Sequence, residues 1–90
     1  MKFYEVHYPY YALLKANDKE EARQLYIKDV ADDDGSLYEE IKEVDRDYAL
    51  ALYGRFSKDE NGKFIPIPNV IEDVKNDKSM TLLVDACLIY

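Results

Sequence analysis

Taking every second residue from Tyr4 gives Tyr4, Val6, Tyr8, Tyr10, Ala12, Leu14 and Ala16, an uninterrupted row of apolar and aromatic side chains. A strand shows one face at a period of two, so this row commits residues 2–16 to β-structure and to a sheet that something must cover. The alternate row, Phe3, Glu5, His7, Pro9, Tyr11, Leu13 and Lys15, mixes rings, charges and aliphatic groups, the composition of a face only partly covered. Pro9 cannot donate to a ladder, which implies an edge, a bulge, or two strands meeting at a bend.

The pattern then changes period. Asp18 is placed to cap a helix, with Glu21 three residues on as in a capping box, and Glu20 and Glu21 suit the positive end of the helix dipole. Ala22, Leu25, Tyr26 and Val30 share one helical face, which predicts a helix over residues 19–31. It ends in Asp32, Asp33, Asp34 and Gly35, where three carboxylates oppose the negative helix terminus and glycine can take a positive φ.

Residues 36–44 fit two patterns. Ser36 and Glu39 have capping-box spacing and Leu37, Ile41, Val44 and Tyr48 have helical spacing, but a layered domain needs a further strand here, and we read residues 38–44 as that strand. Asp45 then caps a second long helix carrying Tyr48, Ala49, Leu52, Tyr53 and Phe56, with Gly54 its weak point. Residues 59–63 form a turn around Asn61 and Gly62. Pro66 and Pro68 hold residues 64–68 extended, and Asn69 caps a short helix with Ile71 and Val74 inward. Residues 80–89, almost continuously apolar, read as a strand covered on both faces and placed centrally beside the first. The sum is one α+β domain over residues 1–90, a small, mainly antiparallel sheet with a long N-terminal strand, a central C-terminal strand, and two to three helices packed on one face.

Nearly half of the side chains are hydrophobic, which excludes a disordered chain despite the formal charge of −7. A domain of this size buries a modest core, so a homodimer is compatible with it. The charge has an address. Residues 29–47 carry nine acids against Lys42 and Arg46, which accounts for the whole −7, and the rest of the chain balances. Such a localised field repels nucleic acid and attracts basic surfaces. A single cysteine, Cys87, and the absence of a leader pattern point to a cytoplasmic location, and no apolar run reaches the roughly 20 residues of a membrane span.

Candidate chemistry is sparse. Asp32, Asp34 and Gly35 fit the third, fifth and sixth positions of a calcium loop, but Val30 and Ile41 would then occupy the first and twelfth, where carboxylates set affinity; a solvated acidic turn fits better. His7 and Cys87 would be base and nucleophile only if the terminal strands brought them together, and neither an orienting group nor an oxyanion donor accompanies them. Zinc would need ligands the chain lacks, and no glycine-rich phosphate loop is present. No catalytic residue, metal or cofactor is therefore assigned. Asp85, a carboxylate in an apolar strand, reads as an edge-facing or paired structural residue in preference to a functional one. Of nine tyrosines most belong to the core or its margin, with Tyr11 and Tyr38 the ones to expect at a surface.

Three segments, YYALLKANDKEEA at residues 10–22, VDRDYAL at 44–50 and LLVDACLI at 82–89, resemble small acidic proteins of unknown role encoded in prophages and mobile elements of Gram-positive bacteria. The resemblance implies a non-enzymatic, host-interacting protein, in the manner of anti-CRISPR or anti-restriction inhibitors whose carboxylates stand in for phosphates. Its partner would be a host protein with a basic surface, such as a nuclease, and neither nucleic acid itself nor a membrane. The contact residues expected are Asp32, Asp33, Asp34, Tyr38, Glu39, Glu40 and Glu43. The alternative is a structural or assembly homo-oligomer of a mobile element, joined through an exposed tyrosine-bearing strand, whose acidity only keeps it in solution.

Overall fold

The computed structural model describes residues 1–8, 10–33, 35–58 and 61–84. The expected N-terminal strand is two strands, β1 (Lys2–Val6) and β2 (Ala12–Ala16), folded against each other as an antiparallel hairpin with Val6 opposite Ala12 and Lys2 opposite Ala16. The five residues between them preserve parity. Even-numbered residues of both strands therefore face the same way, which is why one period-two row ran through a reversal of chain direction. Tyr8 and Tyr10, at the bend, are exposed. The buried Tyr26 pins the bend from the next helix, its hydroxyl accepting from the Tyr10 N–H (3.0 Å) and donating to the Tyr10 carbonyl (2.8 Å).

Helix α1 (Lys19–Asp29) starts as its sequence dictates. Asp18 accepts from the Glu21 N–H at 2.8 Å, and Glu21 reaches back to the N–H of Asn17, one residue before the cap. The segment expected as a strand over residues 38–44 divides into a single helical turn, α2 (Leu37–Glu40), and a strand, β3 (Ile41–Val44), that pairs antiparallel with β1. Both patterns in that segment were real. Leu37 is buried as a helical residue and Ile41 as a strand residue, both in the same core.

Helix α3 (Arg46–Phe56) is capped by Asp45, and α4 (Ile67–Lys75) follows a turn in which Gly62 has φ 80°. The extended reading of residues 64–68 and the Asn69 cap are corrected. The Pro66 carbonyl receives the Asn69 and Val70 N–H groups, and Pro68 lies inside the first turn, where its missing N–H costs no hydrogen bond. The helix turns Val70 and Val74 inward, while Ile71, expected inside, is 41% exposed.

Strand β4 (Met80–Val84) pairs with β2, giving the order β3-β1-β2-β4, so among the described residues it is an edge and not the centre. It reads as a central strand because helices lie over both its faces. A bulge at Leu82, between the pairs Leu13–Leu83 and Leu14–Thr81, sends Leu82 and Leu83 into the same core. The remainder of the expected strand, with Asp85 and Cys87, lies outside the described residues.

The largest correction is the layering. One core lies between the sheet and α1, built from Tyr4, Val6, Leu14, Ala22, Tyr26 and Ile41. A second lies on the opposite face, where Phe3, Leu13 and Leu83 meet Ala49 and Tyr53 of α3 and Val70 and Val74 of α4. The described helices sit on both faces of the antiparallel sheet, not one. The fold class remains α+β.

Candidate functional site

The acidic segment runs from the β4 side of the sheet, where Asp29 meets Thr81, to the β3 edge. It begins at the end of α1, continues through α2, and runs down β3, the strand that has β1 on one side and no described strand on the other. Asp32, Glu39 and Glu43 are exposed and Glu40 is half-buried. Among the described residues none of these four carboxylates makes an ion pair, and Tyr38 stands exposed beside them.

Other acids in the segment have structural work. Asp33 Oδ1 accepts from the N–H groups of Gly35 (2.7 Å) and Leu37 (3.3 Å), closing the turn into α2 around Gly35 at φ 102°. Its Oδ2 accepts from Arg23 Nε at 2.9 Å. The Gly35 hydrogen bond, helped by Arg23, holds the Asp33 carboxyl below the usual carboxylate range. Asp33 is thus a turn former; Asp34 lies outside the described residues. Asp45 caps α3, and Asp29 accepts from the Thr81 hydroxyl.

Beside β3 and under the start of α1 lies a cleft of about 660 Å³, rimmed by Lys2, Lys19 and Lys42 and by Asp18, Glu20 and Glu43. Lys19 Nζ sits 4.2 Å from the centre of the Tyr38 ring, a cation–π contact that fixes the ring at the cleft mouth. Tyr4 forms the floor. Burial, then the nearby Glu43 and Asp18 charges, hold its hydroxyl protonated above the usual phenol range. The cleft is therefore mixed in charge, and of the uncompensated carboxylates Glu43 lies on its rim.

On the other face of the same edge is a cluster that the sequence reading missed. Glu5, 7% exposed, accepts at Oε2 from the hydroxyls of Tyr11 (2.5 Å) and Tyr48 (2.7 Å), and its Oε1 lies 3.1 Å from His7 Nε2. Burial and then the Glu5 hydrogen bond raise the Tyr11 phenol, and the Glu5 hydrogen bond and then burial raise that of Tyr48. The signal was present: Glu5, His7 and Tyr11 share the odd-numbered row, and α3 delivers Tyr48 over it. His7 is oriented by Glu5, and its proposed partner Cys87 lies outside the described residues.

Lys15 is the second surprise. Fully buried, it donates from Nζ to the Asp73 carbonyl, and to the carbonyl (3.1 Å) and side-chain oxygen (2.7 Å) of Asn76, closing the C-terminus of α4. Burial lowers its pKa, opposed by the Asp73 charge. Among the described residues, no three His, Cys, Asp or Glu side chains gather as a metal site, and no helix is long and apolar enough to cross a membrane.

Residues 1–83, a span holding all four helical segments and all of the described sheet but the last residue of β4, match the YosH C-terminal domain family. The chain belongs to that family. A relative is the SPbeta prophage-derived uncharacterized protein YosH of Bacillus subtilis strain 168, 44% identical over 90 residues, which are 99% of this chain and 57% of the relative. The chain thus spans a little over half of YosH. No solved structure matches it. The YosH likeness supports a phage-type origin, as the resemblance in three packing segments implied.

Proposed function

We propose that this YosH-type domain is a non-enzymatic binding protein that inhibits a nucleic-acid-handling host defence enzyme by occupying its basic cleft. The observation that carries the reading is a set of carboxylates without an ion pair among the described residues, Asp32, Glu39, Glu40 and Glu43. Glu43 lies on the edge strand β3, Glu39 and Glu40 in the helical turn before it, and all four fall inside residues 29–47, which hold the whole formal charge of −7. Carboxylates gathered in one segment offer a basic cleft negative charge in place of a phosphate backbone's, and long-range attraction speeds encounter. Tyr38 supplies a rigid aromatic contact among them.

The experiment is affinity capture from a Bacillus subtilis lysate with the parent chain and with a variant carrying Asp32→Asn, Glu39→Gln, Glu40→Gln and Glu43→Gln. Capture of a nucleic-acid-binding enzyme by the parent, weakening as salt rises from about 0.1 to about 1 M and lost in the variant, is the expected result. A protein set identical for parent and variant excludes the edge as the contact. The second reading, a homo-oligomer of a mobile element, draws on the exposed Tyr8 and Tyr10 at the hairpin bend and on Phe64, Ile67 and Ile71. Tight self-association unaffected by the four substitutions would favour it.

A further inference from the structure

We infer that β3 is a docking edge for an extended, lysine- or arginine-bearing segment of the partner, which adds to the sheet as a fifth strand. This deepens the reading above and rests on it, by naming how the basic partner is held.

β3 uses one side of its chain to pair with β1, from Phe3–Val44 to Val6–Ile41, and among the described residues nothing pairs with its other side. An edge strand leaves alternate N–H and C=O groups directed outward, and an extended peptide can satisfy them at regular spacing. No proline or bulge interrupts β3, and the cleft beside it is open to side chains descending from an added strand.

Charge selects the occupant. Glu39 and Glu40 precede the strand, Glu43 lies within it, and Asp45 and Asp47 follow it, against Lys42 and Arg46, so the chain along the docking line is acidic on balance while the cleft beside it is mixed in charge. An incoming strand with basic residues at alternate positions brings one of them beside Glu43. Its intervening residues fall on the opposite face, away from Glu43, and are left small and neutral. A second copy of this chain is the poorer occupant, because pairing β3 with β3 sets Glu43 and the flanking carboxylates of the two copies against each other.

The test uses two eight-residue peptides that alternate lysine with threonine, one unmodified and one methylated on every second backbone nitrogen, which keeps the charge and removes the donors. With the isotope-labelled full chain, the unmodified peptide should slow hydrogen exchange of outward-facing amides in residues 41–44. Methylation should weaken binding at least tenfold, about the effect of one to two net backbone hydrogen bonds. Equal binding of both peptides, weakened by Glu43→Gln, would overturn strand addition while leaving the acidic contact surface standing. Binding of neither peptide would overturn it as well, whatever the lysate capture shows. So would a dimer of the free chain, seen by sedimentation, whose β3 amides are already protected.

Discussion

At the scale of single residues, the fold depends on two charged side chains in a sheet face that resembles a solvent face on paper. Lys15 has no exposed surface, and its ammonium replaces the water that the last carbonyls of α4 would otherwise find. Replacing it with methionine keeps the apolar stem and removes the donor, leaving the Asp73 and Asn76 carbonyls short of a partner. Lys15→Met should therefore destabilise the chain by about 1–3 kcal/mol in denaturant unfolding. The phenols give a pH signature. Tyr11, Tyr48 and Tyr53 all have pKa values raised above 10.0, the Tyr53 hydroxyl by burial and then by its bond to Asp73. The unfolded chain releases these protons at a lower pH than the folded one, so their stabilisation is complete below pH 10.0 and is lost as pH rises above it. Unfolding measured between about pH 9 and about pH 11 should show that loss, reduced in a Tyr11→Phe, Tyr53→Phe double variant. The odd-numbered row was legible as mixed. That its polar members were buried was not, because burial of Glu5 and Lys15 is decided by hydroxyls and carbonyls brought from α3 and α4, 43 and 58 or more residues away in the chain.

At the scale of elements, the sequence spoke most clearly where the determinants are local. Asp18 with Glu21 and Asp45 with Asp47 fix two helix starts by hydrogen bonds spanning two or three residues, and these starts stand where the sequence placed them. Periodicity failed where it is insensitive by nature. It cannot register a chain reversal that preserves parity, as between β1 and β2, nor tell an edge strand under two helix layers from a central one, as at β4. The same limit hid the second helical layer, since an odd-numbered row diluted by Glu5, His7 and Lys15 reads as a face toward water. Pro68 misled for a different reason: a proline pair bars helix in an interior but is accommodated in a first turn. Gly54 offers a test of an element taken alone. It sits within α3, and a Cβ added there would meet Val70 Cγ1 at 3.7 Å, an ordinary contact with α4. Gly54→Ala should then stabilise the chain by about 0.5–1 kcal/mol, read as a higher denaturation midpoint with an unchanged slope.

At the scale of the whole molecule, the question is whether the acidic edge serves the fold or burdens it. Asp33 serves it, through the turn at Gly35 and the pair with Arg23. Asp32, Glu39, Glu40 and Glu43 have no such partners among the described residues, and they belong to residues 29–47, which hold the whole formal charge of −7. Folding brings these like charges together, so their mutual repulsion lowers the stability of the compact state and weakens as salt shortens the screening length from about 10 Å at 0.1 M to about 3 Å at 1 M. Neutralising all four should accordingly leave the chain as stable as the parent or more so, by up to about 1 kcal/mol at low ionic strength, with the difference closing near about 1 M salt. Thermal unfolding of parent and variant across a salt series measures this directly. A variant less stable at every salt concentration would mean that these carboxylates hold the edge together, as Asp33 does, and that their exposure is not kept for a partner. A variant more stable only at low salt would mean that the domain carries a repulsive surface its own fold does not use, which a basic partner would relieve on binding.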